Sequence, residues 1–233
     1  MQRPLAVLFD MGETIFTRPE YDEATAIGMF CNEFGLLERA SEEEIARVFR
    51  TVSQDTYERS CKSLIEFPFD NLCRLVCAQF GLKVKVSKRF MDHYFESVYR
   101  RAVLTPGYAC SIARLRQLGI RLGVLSDSFF YGNTLERSFA KAGILREFSF
   151  VMSSADIGVR KPHTLLFKAA AVRIGIPEKH IWYVGDSVER DVRGARSSGM
   201  HAVWYNATRS VAPRQVECTV VSNWRQFLDL LER

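Results

Sequence analysis

Four hydrophobic runs in this chain each lead into a residue that can handle phosphate or a metal ion. LAVLF ends at Asp10, RLGVL ends at Ser126, IWYV passes through Gly185 to Asp186, and FSFVM leads through a short loop to Lys161. A carboxylate can attack phosphorus or ligate a cation. A hydroxyl can hold a phosphate oxygen, and an ammonium can neutralise charge as it develops. In an open parallel α/β sheet, ligands sit just beyond the carboxyl ends of the strands, so residues remote in sequence face one crevice. One strand ending in a polar residue means little, because chains leave sheets through polar turns. Four endings of complementary chemistry form a pattern.

The segment YVGDSVERDVRGA adds a second carboxylate to this end of the chain. Asp186 stands at a strand end and Asp191 in the first turn of the following helix. Two nearby carboxylates repel unless a cation or proton lies between them, and a donor set of oxygens alone selects Mg²⁺. The favourable field of a helix N-terminus would account for Asp191 by itself; it does not account for Asp186. Lys161, in GVRKP, follows Arg160 and precedes Pro162. Taken singly, Asp10 could cap a turn, Ser126 a helix, and Lys161 could be a solvated surface lysine.

The elements that would position these residues are readable from periodicity. After Asp10 the pattern is helical to about residue 103. Ile27, Phe30, Cys31 and Phe34 fall on one helical face. Ser41 and Glu44 have the spacing of a capping box, ahead of a stripe of Ile45, Val48, Phe49 and Val52. Ser87 can cap a helix carrying Phe90, Met91, Tyr94, Phe95 and Val98. From Pro106 onward, helices predicted at 108–118, 132–142, 164–174 and 188–198 alternate with the strands RLGVL, FSFVM, IWYV and HAVWY. A strand at 218–221 then precedes a helix from Asn223. The helix–Gly–strand rhythm predicts βαβ units and a parallel α/β sheet, with residues 15–103 inserted after the first strand.

At 233 residues, 47% hydrophobic and 25% charged, the chain can bury a full core as one large domain or two modest ones. A net charge of +5 without a basic block argues against a nucleic-acid partner and is compatible with an anionic small substrate. No stretch has the length of a membrane span, and the N-terminus has no secretory pattern. Six scattered cysteines include no CxxC pair; Cys73 and Cys77, four apart, read as core thiols, and the protein as reduced and cytoplasmic.

In order, FDMGET, GVLSDS, GVRKP and YVGDSVERD resemble the motifs of the haloacid dehalogenase superfamily, and the resemblance spans the whole chain. It implies a Rossmann-like three-layer core (1–14 and 104–233) with an α-helical cap domain (15–103). It also implies a phosphatase acting on a small phosphorylated metabolite. Asp10 would attack phosphorus and form an aspartyl-phosphate. Mg²⁺ would be held by Asp10, the backbone carbonyl of Gly12 and Asp186, with Asp191 orienting that shell. Ser126 and Lys161 would stabilise the transferring oxygens.

The chain departs from the pattern at Gly12, where most phosphatases of the superfamily carry a second Asp as general acid. The backbone metal ligand survives this change; the acid does not. Glu13 and Asp127 are candidate substitutes. Two alternatives therefore stay open: a phosphate-binding or interaction protein with weakened turnover, and a hydrolytic 2-haloacid dehalogenase. Arg18, Tyr21 and Lys62 are candidates to reach substrate from the cap. The oligomeric state stays open, since an apolar helix face can pack internally or against another subunit.

Overall fold

Alternation of side chains along the first strand sets the layers. In the computed structural model, which describes residues 3–17, 20–100, 102–211 and 218–232, strand β1 is Ala6–Phe9. Val7 and Phe9 point into one hydrophobic cluster, Ala6 and Leu8 into another. A strand buried on both faces needs helices on both, which is the three-layer arrangement.

The short strand β2 (Glu20–Tyr21) opens a helical segment of α1 (Glu23–Phe34), α2 (Glu42–Ser63), α3 (Phe69–Gln79) and α4 (Lys88–Val98). Strand β3 (Tyr99–Arg100) closes it by pairing antiparallel with β2. The chain then runs α5 (Tyr108–Gln117), β4 (Arg121–Ser126), α6 (Gly132–Lys141), β5 (Val151–Ser153), α7 (Ser154–Ile157), α8 (Thr164–Ile174), β6 (Ile181–Gly185), α9 (Arg193–Ser197), β7 (His201–Tyr205), β8 (Thr219–Val221) and α10 (Trp224–Leu231). The sheet order is β5-β4-β1-β6-β7-β8, all parallel. Strand β1 lies at its centre, between the two strands that follow it on either side. That is the switch point at which α/β sheets open a crevice.

Local sequence explains most boundaries. Ser87 Oγ accepts from the Phe90 amide at 3.0 Å and starts α4, and Asn223 Oδ1 accepts from Gln226 at 2.9 Å and starts α10. The Ser41–Glu44 pair makes only the forward half of the expected box. Ser41 Oγ takes the Glu44 amide at 3.3 Å, while the Glu44 carboxylate lies 4.0 Å from Arg47. A full capping box forms instead at Ser153 and Asp156. Cys73 and Cys77 are buried free thiols in α3.

Two elements differ from expectation. FSFVM joins the sheet by single bonds, from Ser149 to Leu122 at 2.7 Å and from Val124 to Phe150 at 3.1 Å, before ladder pairing begins at Val151. The helix expected over 188–198 opens instead as a π-helical turn, Val188–Val192, that continues into α9. The amides of Asp191 and Val192 both reach back to the Ser187 carbonyl, at 2.9 and 3.2 Å, which widens the turn. Such widened turns recur at functional sites.

The helical segment is tied to the α/β part by backbone bonds. Glu66 donates to Gly158 and Arg160 to Leu64, at 2.9 and 2.8 Å, around an antiparallel bridge between Ile65 and Val159. Phe69 donates to Phe129 at 2.8 Å. Among the described residues no helix is long and apolar enough to cross a membrane.

Candidate active site

Strand register brings the acids together. Phe9 pairs with Val124 on one side and Val184 on the other, and the Asp10 amide continues the ladder to Val184 at 2.9 Å. Asp10 therefore leaves β1 beside Ser126 at the end of β4 and Gly185 at the end of β6. Carboxylate oxygens of Asp10, Asp186 and Asp191 lie within 4.8 Å of one another, the one such acidic group among the described residues.

Lys161 is the counter-charge. Its Nζ donates to Asp10 Oδ1 at 2.5 Å and to Asp191 Oδ1 at 2.6 Å. Its third donor meets the Tyr183 hydroxyl at 3.1 Å, and that hydroxyl donates to the Leu125 carbonyl at 2.9 Å. The Asp191 carboxylate also takes the Ser187 amide at 2.9 Å, so the π-helical turn holds the acid that holds the lysine. Trp204 Nε1 donates to the Asp186 backbone carbonyl at 2.8 Å and steadies that strand end.

Burial explains the electrostatics. It pushes the Asp10 carboxyl up to about 7; Lys161 opposes the rise, and Asp191 and Asp186 add to it. Burial also raises Asp186, with Asp191 adding to it. The same burial would push the Lys161 ammonium down, yet Asp10 and Asp191 override it and hold the group well above the usual lysine range. Three carboxylates face one ammonium here. This excess of negative charge on oxygen donors, close together and largely buried, fits a hard divalent cation.

The other predicted residues are placed as follows. Ser126 is buried, its Oγ only 3.5 Å from the Asp127 carbonyl. Gly12 is exposed in the loop after β1, and a Cβ built there meets nothing within 4 Å. Glu13 is exposed with a positive φ of 54°. Asp127 Oδ1 accepts the Lys161 amide at 2.9 Å, and its Oδ2 lies 3.9 Å from Arg160. Asp127 thus pins the backbone of Lys161. Tyr21 lines a cavity in the helical segment, Lys62 is exposed, and Arg18 lies outside the described residues.

The family model for haloacid dehalogenase-like hydrolases matches residues 7–205. The chain belongs to this family. Among curated relatives of this family member, the glyceraldehyde 3-phosphate phosphatase of Methanopyrus kandleri is 29% identical over 201 residues, covering 85% of this chain and 82% of its own. The fold matches a HAD phosphatase from Thermococcus onnurineus with a TM-score of 0.64 at 22% identity, covering 97% of both chains. It matches a 2-haloacid dehalogenase from Pseudomonas syringae pv. Tomato with a TM-score of 0.65 at 22% identity, covering 100% of this chain and 99% of the other. Backbone likeness is thus equal for the two chemistries.

Sequence reasoning missed three residues of this hydrolase's site region. Tyr183 bridges lysine and strand from mid-strand, where a tyrosine reads as core. Glu66, in the helical segment, takes the Arg160 guanidinium at 2.7 and 2.9 Å while buried. Arg190 lies in the π-helical turn. Burial pushes its guanidinium down, and Asp191, Asp10, Asp127 and Asp186 together hold it above its ordinary value.

Proposed function

We propose that this chain is a Mg²⁺-dependent phosphatase acting on a small phosphorylated molecule through a phosphorylated aspartate. The observation that carries this reading is Lys161 shared between Asp10 and Asp191 beside Asp186. The phosphatase activity of the curated relative supports it. Residues 1–14 and 104–233 would form the core and 15–103 a cap over the site.

Asp10, the Gly12 carbonyl and Asp186 would hold the cation, which when bound offsets charge on the phosphoryl oxygens. With Oδ1 held by Lys161, Asp10 presents Oδ2 to phosphorus. The Oδ2–P bond forms as the P–O bond to the leaving group breaks, and the leaving oxygen keeps the electron pair. Water then adds to phosphorus, the Asp10 carboxylate departs, and one proton passes to solvent. Lys161 neutralises charge on the transferring oxygens throughout, and Ser126 offers a hydroxyl and amide to them. Asp191, through Tyr183 and Ser187, fixes where the ammonium sits.

Turnover of p-nitrophenyl phosphate with and without Mg²⁺ tests this reading. Metal-dependent release abolished by Asp10→Asn supports it. Phosphate binding without hydrolysis would favour an interaction protein, and metal-independent halide release from a 2-haloacid would favour dehalogenation.

A further inference from the structure

Between α2, α3 and the loops after β4 and β5 lies a cavity of about 690 Å³. Its wall is rich in aromatic rings: Phe49, Tyr57, Phe69, Tyr94, Tyr99 and Phe129 all contribute. Its charged lining groups are already matched. Arg160 pairs with Glu66 at 2.7 Å, and Arg50 pairs with Glu23 at 3.3 Å. Much of the rest of the lining is polar, with Ser53, Gln54, Thr56 and Ser60 along α2. The hydroxyl of Ser53, a lining residue, is buried and has no hydrogen-bond partner.

The cavity borders the loops that carry Lys161 and follow Ser126. Arg160, which sits over the Tyr57 ring at 5.6 Å, directly precedes Lys161 and stands 3.9 Å from Asp127, the residue that holds the Lys161 amide. Phe129 follows the β4 end that carries Ser126. A molecule in the cavity therefore has its near end at the phosphate-handling loops.

A second observation is independent of the first. Gly12 supplies no side chain to protonate a leaving oxygen, and Glu13 and Asp127 are respectively exposed and engaged. A leaving group that departs without protonation suits such a site; a phenol does so far more readily than an aliphatic alcohol.

From these two observations we infer that the substrate class of this site is an aryl phosphate monoester, its ring in the aromatic cavity and one polar ring substituent at Ser53. The inference rests on the phosphatase reading, and the test separates the two. Hydrolysis of 1-naphthyl phosphate is compared with that of acetyl phosphate, which has a good leaving group and no ring. Binding of 1-naphthylphosphonate, which cannot be hydrolysed, is measured by calorimetry with Mg²⁺. Both are repeated with Ser53→Trp and with Gln54→Trp, the latter at an exposed cavity position outside the packed core.

The expected result is a kcat/KM for the naphthyl ester roughly 10-fold or more above that for acetyl phosphate, with a larger fall for the naphthyl ester in the filled variants. Phosphonate binding should weaken by about 10-fold or more in the same variants. Acetyl phosphate turnover with phosphonate binding indifferent to both variants overturns the inference and leaves the phosphatase reading standing. If neither compound is hydrolysed, the phosphatase reading fails. Calorimetry then judges the cavity alone: variant-sensitive binding upholds an aryl site, and no binding overturns it.

Discussion

The carboxyl carbon of Asp191 sits 2.4 Å from the point where a Cβ on Gly185 would stand. Asp191 reaches Lys161 only because the last residue of β6 has no side chain. Gly185→Ala should displace that carboxylate, cost about 1–3 kcal/mol through overpacking, and loosen the ammonium from Asp10. The expected outcome is a lower melting temperature together with a fall in kcat larger than any rise in KM. Retained kcat in a destabilised variant would separate packing from positioning.

Gly12→Asp should increase turnover of an alkyl phosphate. A Cβ at this position meets no neighbour within 4 Å, so the loop has room for a side chain to start there. General acid–base assistance contributes ~10²–10⁴-fold, and the gain should fall in that range for glycerol 3-phosphate while being small for an aryl phosphate. Steady-state kinetics on the two esters reads the difference. Equal gains on both would mean that protonation of the leaving oxygen is not what Gly12 lacks.

Stability should respond to pH and Mg²⁺ jointly. Asp10 has a folded pKa near 7 against a usual 3.8, and Asp186 is raised as well. Between those values the folded state binds more protons than the unfolded chain, so metal-free stability falls as pH rises from about 4 through 7. A cation held by the same oxygens competes with those protons. Added Mg²⁺ should therefore raise the melting temperature more at pH 8 than at pH 5, as thermal denaturation would show. A shift independent of pH would place the ion elsewhere.

Glu66→Ala should destabilise the fold strongly. It leaves Arg160 buried beside Tyr57 without its carboxylate, and breaking a buried pair by removing one partner costs roughly 3–5 kcal/mol. Glu66→Gln, which keeps an acceptor for the guanidinium, should lose less. Urea denaturation of the two variants gives the comparison, and equal losses would assign the effect to the lost negative charge rather than to the missing acceptor or to cavity formation.

Much of the fold was legible because each strand carries its own signal. Buried β-branched and aromatic runs ending in Asp10, Ser126 and Asp186 mark strand and exit together, and Ser87 and Asn223 announce their helices through chemistry confined to one turn. Relations across the chain were not legible. Glu66 reads as a surface acid until the Arg160 guanidinium and the Ser154 hydroxyl are seen donating to it, and Tyr183 reads as one more aromatic in a strand. The π-helical turn depends on Ser187 receiving two amides, which a helical repeat over 188–198 does not reveal. Ser41 and Glu44 had the spacing of a reciprocal cap, yet solvent and Arg47 compete for that exposed carboxylate.

The bridge between Ile65 and Val159 has a mechanical consequence. Two backbone bonds join the helical lobe to the residues immediately ahead of the ammonium that grips Asp10. Any swing of that lobe that admits or releases a ligand must either carry this stitch along or unpick it. Helical lobe and reactive centre are in this way geared to each other through this short seam.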